Sequence, residues 1–115
     1  MRVEEFFGIG ENPVVSMDCT IHYYSDAEPA RVVKVSNTGK TCWIRTLKAE
    51  ADPSKENGMG HQNWIIGDFE NPNVKEPDNY TYFKCTLRKS GKWRTSRSNL
   101  YVEMGRAYKY YDWSF

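Results

Sequence analysis

The chain has 115 residues, which suits a single domain over residues 1–115, because a chain of this size encloses one core and has too little apolar surface for two. It is 39% hydrophobic and 15% aromatic, with a mean hydropathy of −0.76, and no stretch approaches the roughly 20 apolar residues that cross a bilayer. The net charge of +1 argues against a dedicated nucleic-acid binder. The N-terminus is acidic and unlike an export signal, so we expect a soluble, unexported protein.

Charge is distributed unevenly along the chain. Residues 1–28 carry one Arg against six acids, a net of −5, whereas residues 84–109 carry eight Lys or Arg against Glu103 alone, a net of +7. This asymmetry favours an anionic face for one partner and a cationic face for another. The alternative is that the two blocks meet in a barrel and neutralise each other.

The first predicted strands form an antiparallel meander. Hydrophobic residues alternate with polar ones along the first strand, as expected of a half-buried ribbon: Val15, Met17, Cys19, Ile21 and Tyr23. A second strand covers residues 30–36 and a third covers 41–48. The turn 37–40, with the sequence NTGK, joins them, because Asn and Gly tolerate the positive φ of tight hairpin turns.

The segment SDAEP (25–29) lies between the first two strands, where it could be a working site or a turn. An Asp in such a segment usually accepts backbone amide bonds in an Asx-turn. We therefore predict that Asp26 caps the turn, with Pro29 at the start of the second strand. Asp112, in the sequence YYDWSF, is expected to act in the same way.

Two acidic loops flank a short fourth strand. Residues 49–63 and 70–79 contain Pro, Gly and many polar groups without periodicity, so both are predicted to be surface loops, and residues 63–69 form the strand between them. The first loop is longer than the usual connection in a small domain, which suggests a functional segment.

The last third of the chain predicts three more strands and an aromatic end. Residues 80–89 alternate clearly, Ser90-Gly91 turns the chain onto 92–95, and 100–104 alternate again before Gly105. Tyr108, Tyr110, Tyr111, Trp113 and Phe115 end the chain and are predicted to close the sheet, because an exposed row of rings would be costly. The predicted fold is all-β: a small antiparallel, SH3-like, partly open barrel of about six to seven strands, with at most one helical turn at residues 3–7.

Several segments of the chain resemble a family of small uncharacterised proteins encoded by bacteriophages and prophages. The similarity covers most of the chain from Tyr23 onward and lies in YYSD (23–26), ARVVKVSNTGKT (30–41), NGMG (57–60), TLRKSGKW (86–93) and LYVEMGRAYKYYDWSF (100–115). The chain departs from the family pattern at Ala30, Arg31, Met104 and Trp113. The family carries no established activity. The resemblance implies a bacterial cytoplasm and accessory roles such as host takeover or inhibition of a defence system.

Motifs for catalysis, metals or cofactors are weak in this sequence. Cys19, Cys42 and Cys85 are odd in number and widely spaced, so we expect reduced, buried thiols. No phosphate-binding, dinucleotide-binding, zinc-protease or serine-elbow motif occurs. We predict a non-enzyme without metal or cofactor. A small hydrolase or lyase is a distant alternative, which would require His22, Asp26 and a cysteine to converge in one pocket.

Two binding functions remain. The favoured prediction is a phage accessory protein that binds and modulates a host protein or nucleoprotein. The alternative is a nucleic-acid-binding module that uses the basic hairpin 88–97, where cations would meet phosphates and rings would stack on bases. The predicted partner-binding residues are Arg88, Lys89, Lys92, Trp93, Arg94, Arg97, Tyr80, Tyr82, Asp52, Glu56, Asp68 and Glu70. No membrane partner is expected.

Overall fold

A computed structural model describes residues 12–54 and 63–111. The predicted turn at 3–7, residues 55–62 of the first acidic loop, Asp112, and the terminal rings Trp113 and Phe115 lie outside the described residues. Within them the chain forms strands and no helix. The strands are β1 (Asp18–His22), β2 (Ala27–Val35), β3 (Thr41–Ala51), β4 (Trp64–Phe69), β5 (Tyr82–Leu87), β6 (Trp93–Thr95) and β7 (Tyr101–Met104).

Six of these strands form a closed antiparallel barrel. The order around the sheet is β2-β1-β7-β6-β5-β3, and pairing of β2 with β3 joins its two ends. The remaining strand, β4, pairs with the far half of β3 and extends the sheet beyond the barrel. The predicted all-β small barrel is therefore confirmed for the described residues, and its closure leaves no free edge within the six-stranded ring.

The first hairpin is tighter than predicted. A turn at Tyr23–Asp26, in which the Tyr23 amide donates to the Asp26 carbonyl at 2.8 Å, lets β2 begin at Ala27. The predicted turn at 25–29 was therefore wrong in its second half. Pro29 lies inside β2, opposite Thr20 of β1. The Ala27 amide points away from β1 and donates to the Tyr110 carbonyl. Amides two residues apart in a strand point to the same side, so position 29 also faces away from β1. Pairing with β3 begins only at Ala30, so Pro29 does not interrupt a strand pairing.

The first strand is also shorter than its pattern suggested. Val15 lies in a turn with Ser16, whose φ is 76°, and it is 58% exposed. Tyr23 lies in the next turn and is also exposed. The prediction that Val15 and Tyr23 belong to the buried face of the first strand was therefore wrong. The alternation of apolar residues in the sequence extends beyond both ends of β1.

The barrel interior follows the predicted alternation closely. Cys42 and Ile44 of β3 point inward, opposite Cys85 and Phe83 of β5. The core consists of Cys19, Ile21, Ala30, Val32, Cys42, Ile44, Phe83, Cys85, Trp93, Val102 and Met104. All three cysteines are buried and free, as predicted.

The C-terminal segment lies across the outside of the barrel. After Gly105 the chain passes over β1, where the Thr20 hydroxyl donates to the Arg106 carbonyl at 2.8 Å and accepts from the Tyr108 amide at 3.2 Å. Tyr110 then bridges to Ala27 on β2. For residues 106–111 the predicted role in closing the sheet was wrong: β2–β3 pairing closes it, and these residues cross the outer face of β1 at Thr20 and pair with β2 at Ala27.

Helices long and apolar enough to cross a membrane are not found in the part of the chain that the structure describes.

Candidate functional site

The basic hairpin forms as predicted, but its aromatic residue is not on the surface. The Arg88 amide donates to the Lys92 carbonyl at 2.9 Å, and Gly91 takes a φ of 86° in the turn. Lys89, Lys92 and Arg97 are exposed. Trp93 is only 3% exposed, because its position opposite Leu87 and Val102 places the ring in the barrel interior. Its predicted role in stacking on a partner was wrong.

Of the two tyrosines predicted to contact a partner, Tyr80 is exposed and Tyr82 is buried. Tyr80 precedes β5 and is 80% exposed. Tyr82 lies on the outer face of β5 yet is buried, because the Arg45 guanidinium lies 3.9 Å from its ring centroid. Arg45 in turn donates to the carbonyls of Asn71 and Val74, so the second acidic loop covers this pair. Tyr82 is therefore a structural residue and not a partner contact.

The predicted acidic residues lie at or near the β3–β4 extension. The Asp52 carboxylate accepts from the Ser54 amide and hydroxyl in a turn after β3. Asp68 is exposed on β4, and Glu70 follows that strand at the rim of a cleft. Glu56 lies outside the described residues. Asp52, Asp68 and Glu70 thus lie on or next to β3 and β4 and not on the basic hairpin.

Strand pairing brings a different set of residues together on the outside of the barrel. Lys34, Trp43 and Lys84 lie directly opposite one another on β2, β3 and β5. The Lys34 ammonium is 4.7 Å from the centroid of the Trp43 ring. Both lysines are exposed and the ring is half-buried. This row therefore presents one flat ring between two cations.

A second row lies beside the first on β6 and β7. Arg94 of β6 pairs with Tyr101 of β7, and the Lys92 ammonium lies 5.7 Å from the Tyr101 ring centroid. We call the two rows together the cationic face, and it consists of Lys34, Trp43, Lys84, Lys92, Arg94 and Tyr101.

The carboxylate nearest this face in the strand register is already neutralised. Glu103 accepts from the Arg106 guanidinium at 2.6 Å and lies 3.0 Å from Nε2 of His22. Partial burial raises the pKa of Glu103, but the hydrogen bonds from Arg106, His22 and Tyr108 outweigh that effect and lower it. Glu103 is therefore an anion held by its own neighbours Arg106, His22 and Tyr108.

His22 belongs to the same outer cluster. Its ring stacks on Tyr101 at 5.2 Å between centroids, and its Nε2 is 3.2 Å from the Tyr108 hydroxyl. Cys19, by contrast, lies on the opposite, inward face of β1. Burial raises the pKa of the Cys19 thiol, and neighbouring Cys42 and Asp18 raise it further. A thiol held neutral inside the barrel is a poor nucleophile, and the described residues place it away from His22.

Within residues 12–54 and 63–111, no three His, Cys, Asp or Glu side chains lie together in a way that could hold a metal ion.

Comparison of the chain with protein-family models, with curated proteins and with solved structures finds no match. The resemblance to phage-encoded proteins therefore stays a prediction.

Sequence reasoning identified Arg94 and Lys92 as partner-binding residues but missed Lys34, Trp43, Lys84 and Tyr101. Alternation could have placed each of these on an outer face. Their meeting depends on the registers of β2 with β3 and of β6 with β7, which join positions far apart in the chain.

Proposed function

We propose that this protein acts by binding rather than by catalysis, and that the cationic face binds single-stranded nucleic acid. The proposal depends on one observation: the strand registers set two rings, Trp43 and Tyr101, among four cations on one outer surface. Cations supply phosphate contacts, and half-buried rings provide surfaces on which bases stack.

The strength of such a site can be bounded. Base stacking on an aromatic side chain contributes about 1–3 kcal/mol per base, so two rings could supply the larger share of a micromolar affinity, which corresponds to about 8 kcal/mol. The remaining part would come from phosphate contacts, and these weaken with salt because counterions are released on binding. The flat rings favour unpaired bases over a duplex, in which the bases are already stacked.

Fluorescence anisotropy with a labelled oligothymidine tests the proposal. With three to four phosphate contacts, the Kd should rise about 20- to 50-fold between 50 and 200 mM salt. The double variant Lys84→Glu/Arg94→Glu should lose binding at either salt concentration, and Tyr101→Ala should weaken it at both.

Lys48→Glu is the matched control. It makes the same change of charge as Lys84→Glu alone, at an exposed lysine of β3, but Lys48 lines a cleft that also contains four carboxylates. It should therefore leave the Kd within about twofold of the wild type. Equal losses in Lys48→Glu and in the single variant Lys84→Glu would show that only net charge matters and would contradict a defined face.

The accessory role in a phage-infected bacterial cell remains part of the proposal and is supported by the sequence resemblance alone. Absence of salt-sensitive binding to any oligonucleotide would refute the nucleic-acid function. A stoichiometric complex with a host protein, lost on changing Asp68 and Glu70 to Lys, would then support the predicted protein-binding role.

A further inference from the structure

A cleft of about 560 Å³ opens where β3 leaves the barrel to pair with β4. Its walls come from six separate parts of the chain: the β1–β2 turn, the start of β2, the second half of β3, the segments next to β4 and β5, and the C-terminal segment. Its volume lies within the range of small-molecule sites, about 300–1,000 Å³. The residues that line it are Tyr23, Asp26, Glu28, Thr46, Leu47, Lys48, Ala49, Glu50, Glu70, Tyr80 and Lys109.

The lining is rich in carboxylates from different segments. Asp26, Glu28, Glu50 and Glu70 face two lysines, which leaves a formal excess of two negative charges. One lysine is already committed, because the Lys109 ammonium lies 2.6 Å from a carboxylate oxygen of Glu28. The net charge of the lining therefore suits a ligand with two positive charges.

A buried hydroxyl gives a second and independent indication of a ligand. Thr46 lines the cleft, is only 3% exposed, and its Oγ1 is buried without a hydrogen-bond partner among the described residues. Both backbone polar groups of Thr46 already have partners: its amide donates to the Thr81 carbonyl, and its carbonyl accepts from the Glu70 amide. A buried polar atom without a partner costs free energy that a bound group could recover. A ligand ammonium can donate to this oxygen.

Two tyrosines complete the walls of the cleft. Burial raises the pKa of Tyr23, and the negative charges of the Glu28 and Glu70 carboxylates raise it further. Both carboxylates therefore interact electrostatically with the Tyr23 side chain. Tyr80 is largely exposed on another wall. Aromatic rings next to carboxylates attract organic cations through the ring face as well as through charge.

We propose that this cleft is a binding site for a small aliphatic diamine or polyamine, with one ammonium donating to Thr46 and the carboxylates of Glu50 and Glu70 holding the positive charge. The acids are spread over separate segments, and this arrangement suits an extended dication with charges several bonds apart.

Calorimetric titration of the nucleic-acid-free protein with 1,4-diaminobutane at 0.15 M salt tests the site. We expect one saturable site. Glu70→Gln should weaken binding at least tenfold, the usual effect of losing one charge-assisted hydrogen bond. Glu76→Gln removes an exposed carboxylate that does not line the cleft and should change the Kd less than twofold. Thr46→Val should weaken binding about threefold or more, while its Tm stays equal to or above that of the wild type, since the methyl needs no partner.

Three results would overturn the proposal: no saturable binding of the diamine, equal affinity in Glu70→Gln and Glu76→Gln, or equal affinity for Mg²⁺, which has the same charge without the extended shape. The test is independent of the cationic face. Glu70→Gln should bind oligothymidine as the wild type does, and Lys84→Glu/Arg94→Glu should bind the diamine as the wild type does. Each proposal can therefore fail without the other.

Discussion

Asp78 accepts four hydrogen bonds from the chain that follows it. Its Oδ1 receives the amides of Tyr80, Thr81 and Tyr82 at 2.8–2.9 Å, and its Oδ2 receives the Thr81 hydroxyl. Burial alone would raise the pKa of Asp78, but these hydrogen bonds outweigh it and bring the pKa to about 2. One ionised side chain thus organises the entry to β5.

Replacing Asp78 should lower stability in a pH-dependent way. Because its pKa is lower in the folded than in the unfolded chain, ionised Asp78 stabilises the fold above about pH 4, and this contribution is lost as the pH falls toward 2. Asp78→Ala should reduce the free energy of unfolding by about 2 kcal/mol near neutral pH, as measured by urea denaturation.

Asp78→Asn should show a flatter decline in stability than the wild type between pH 4 and pH 2. Asp68→Asn is the control, because among the described residues the Asp68 carboxylate accepts one hydrogen bond, from the Phe69 amide, and Asp68 is exposed. A cost at Asp68 equal to that at Asp78 would contradict a specific cap.

The segment 106–111 is the element whose role differs most from the prediction. It resembled a last strand because its rings repeat, yet it lies across β1 and meets β2 only at Tyr110. The Arg106 guanidinium lies 4.6 Å from the Tyr108 ring centroid, and Lys109 pairs with Glu28. The Lys109–Glu28 pair joins the basic block 84–109 to the acidic block 1–28. At this point the two blocks neutralise each other, which the charge pattern had left open as an alternative.

Thr20→Val tests how this segment is held. The valine keeps the shape but removes both hydrogen bonds to Arg106 and Tyr108, so unfolding free energy should fall by about 1–2 kcal/mol. Amide exchange at Tyr108 should accelerate by more than the global loss explains, because the segment detaches locally. Thr86→Val, on the outer face of β5, is the control. If amide exchange at Tyr108 accelerated equally in Thr86→Val, the proposal that Thr20 holds the segment would be contradicted.

At the scale of the molecule, one core inside a closed ring holds all six barrel strands together. Ile44 is fully buried and lies between Val32 of β2 and Phe83 of β5. Loss of packing at Ile44 therefore destabilises β2, β3 and β5 together. We expect the barrel to unfold as one cooperative unit.

Ile44→Ala should lower the free energy of unfolding by about 3–4 kcal/mol, because it leaves a cavity in the sealed interior. Ile65→Ala removes the same atoms from β4, where the side chain is 50% exposed, and should cost less than about 1 kcal/mol. Chemical denaturation followed by tryptophan fluorescence measures both. Similar costs at the two sites would mean that β4 belongs to the cooperative core.

Local signals in the sequence predicted the strands and turns well. Gly39 adopts a φ of 73° in the predicted hairpin, and Cys42 of β3 is buried as predicted. The candidate site was predicted less well. Trp93 was expected on the surface because cations surround it in the chain, but side-chain direction follows strand parity and not the charge of neighbours.

The sequence by itself determined the class of fold, the reduced interior thiols and the basic hairpin, because alternation and turn chemistry act between residues close in the chain. Only the tertiary structure decided that β1 pairs with β7, that the segment 106–111 crosses the outside of the barrel, and that Lys34, Trp43 and Lys84 share a row. These features depend on registers between distant segments, and a shift of one residue in register would turn every side chain of a strand to the opposite face.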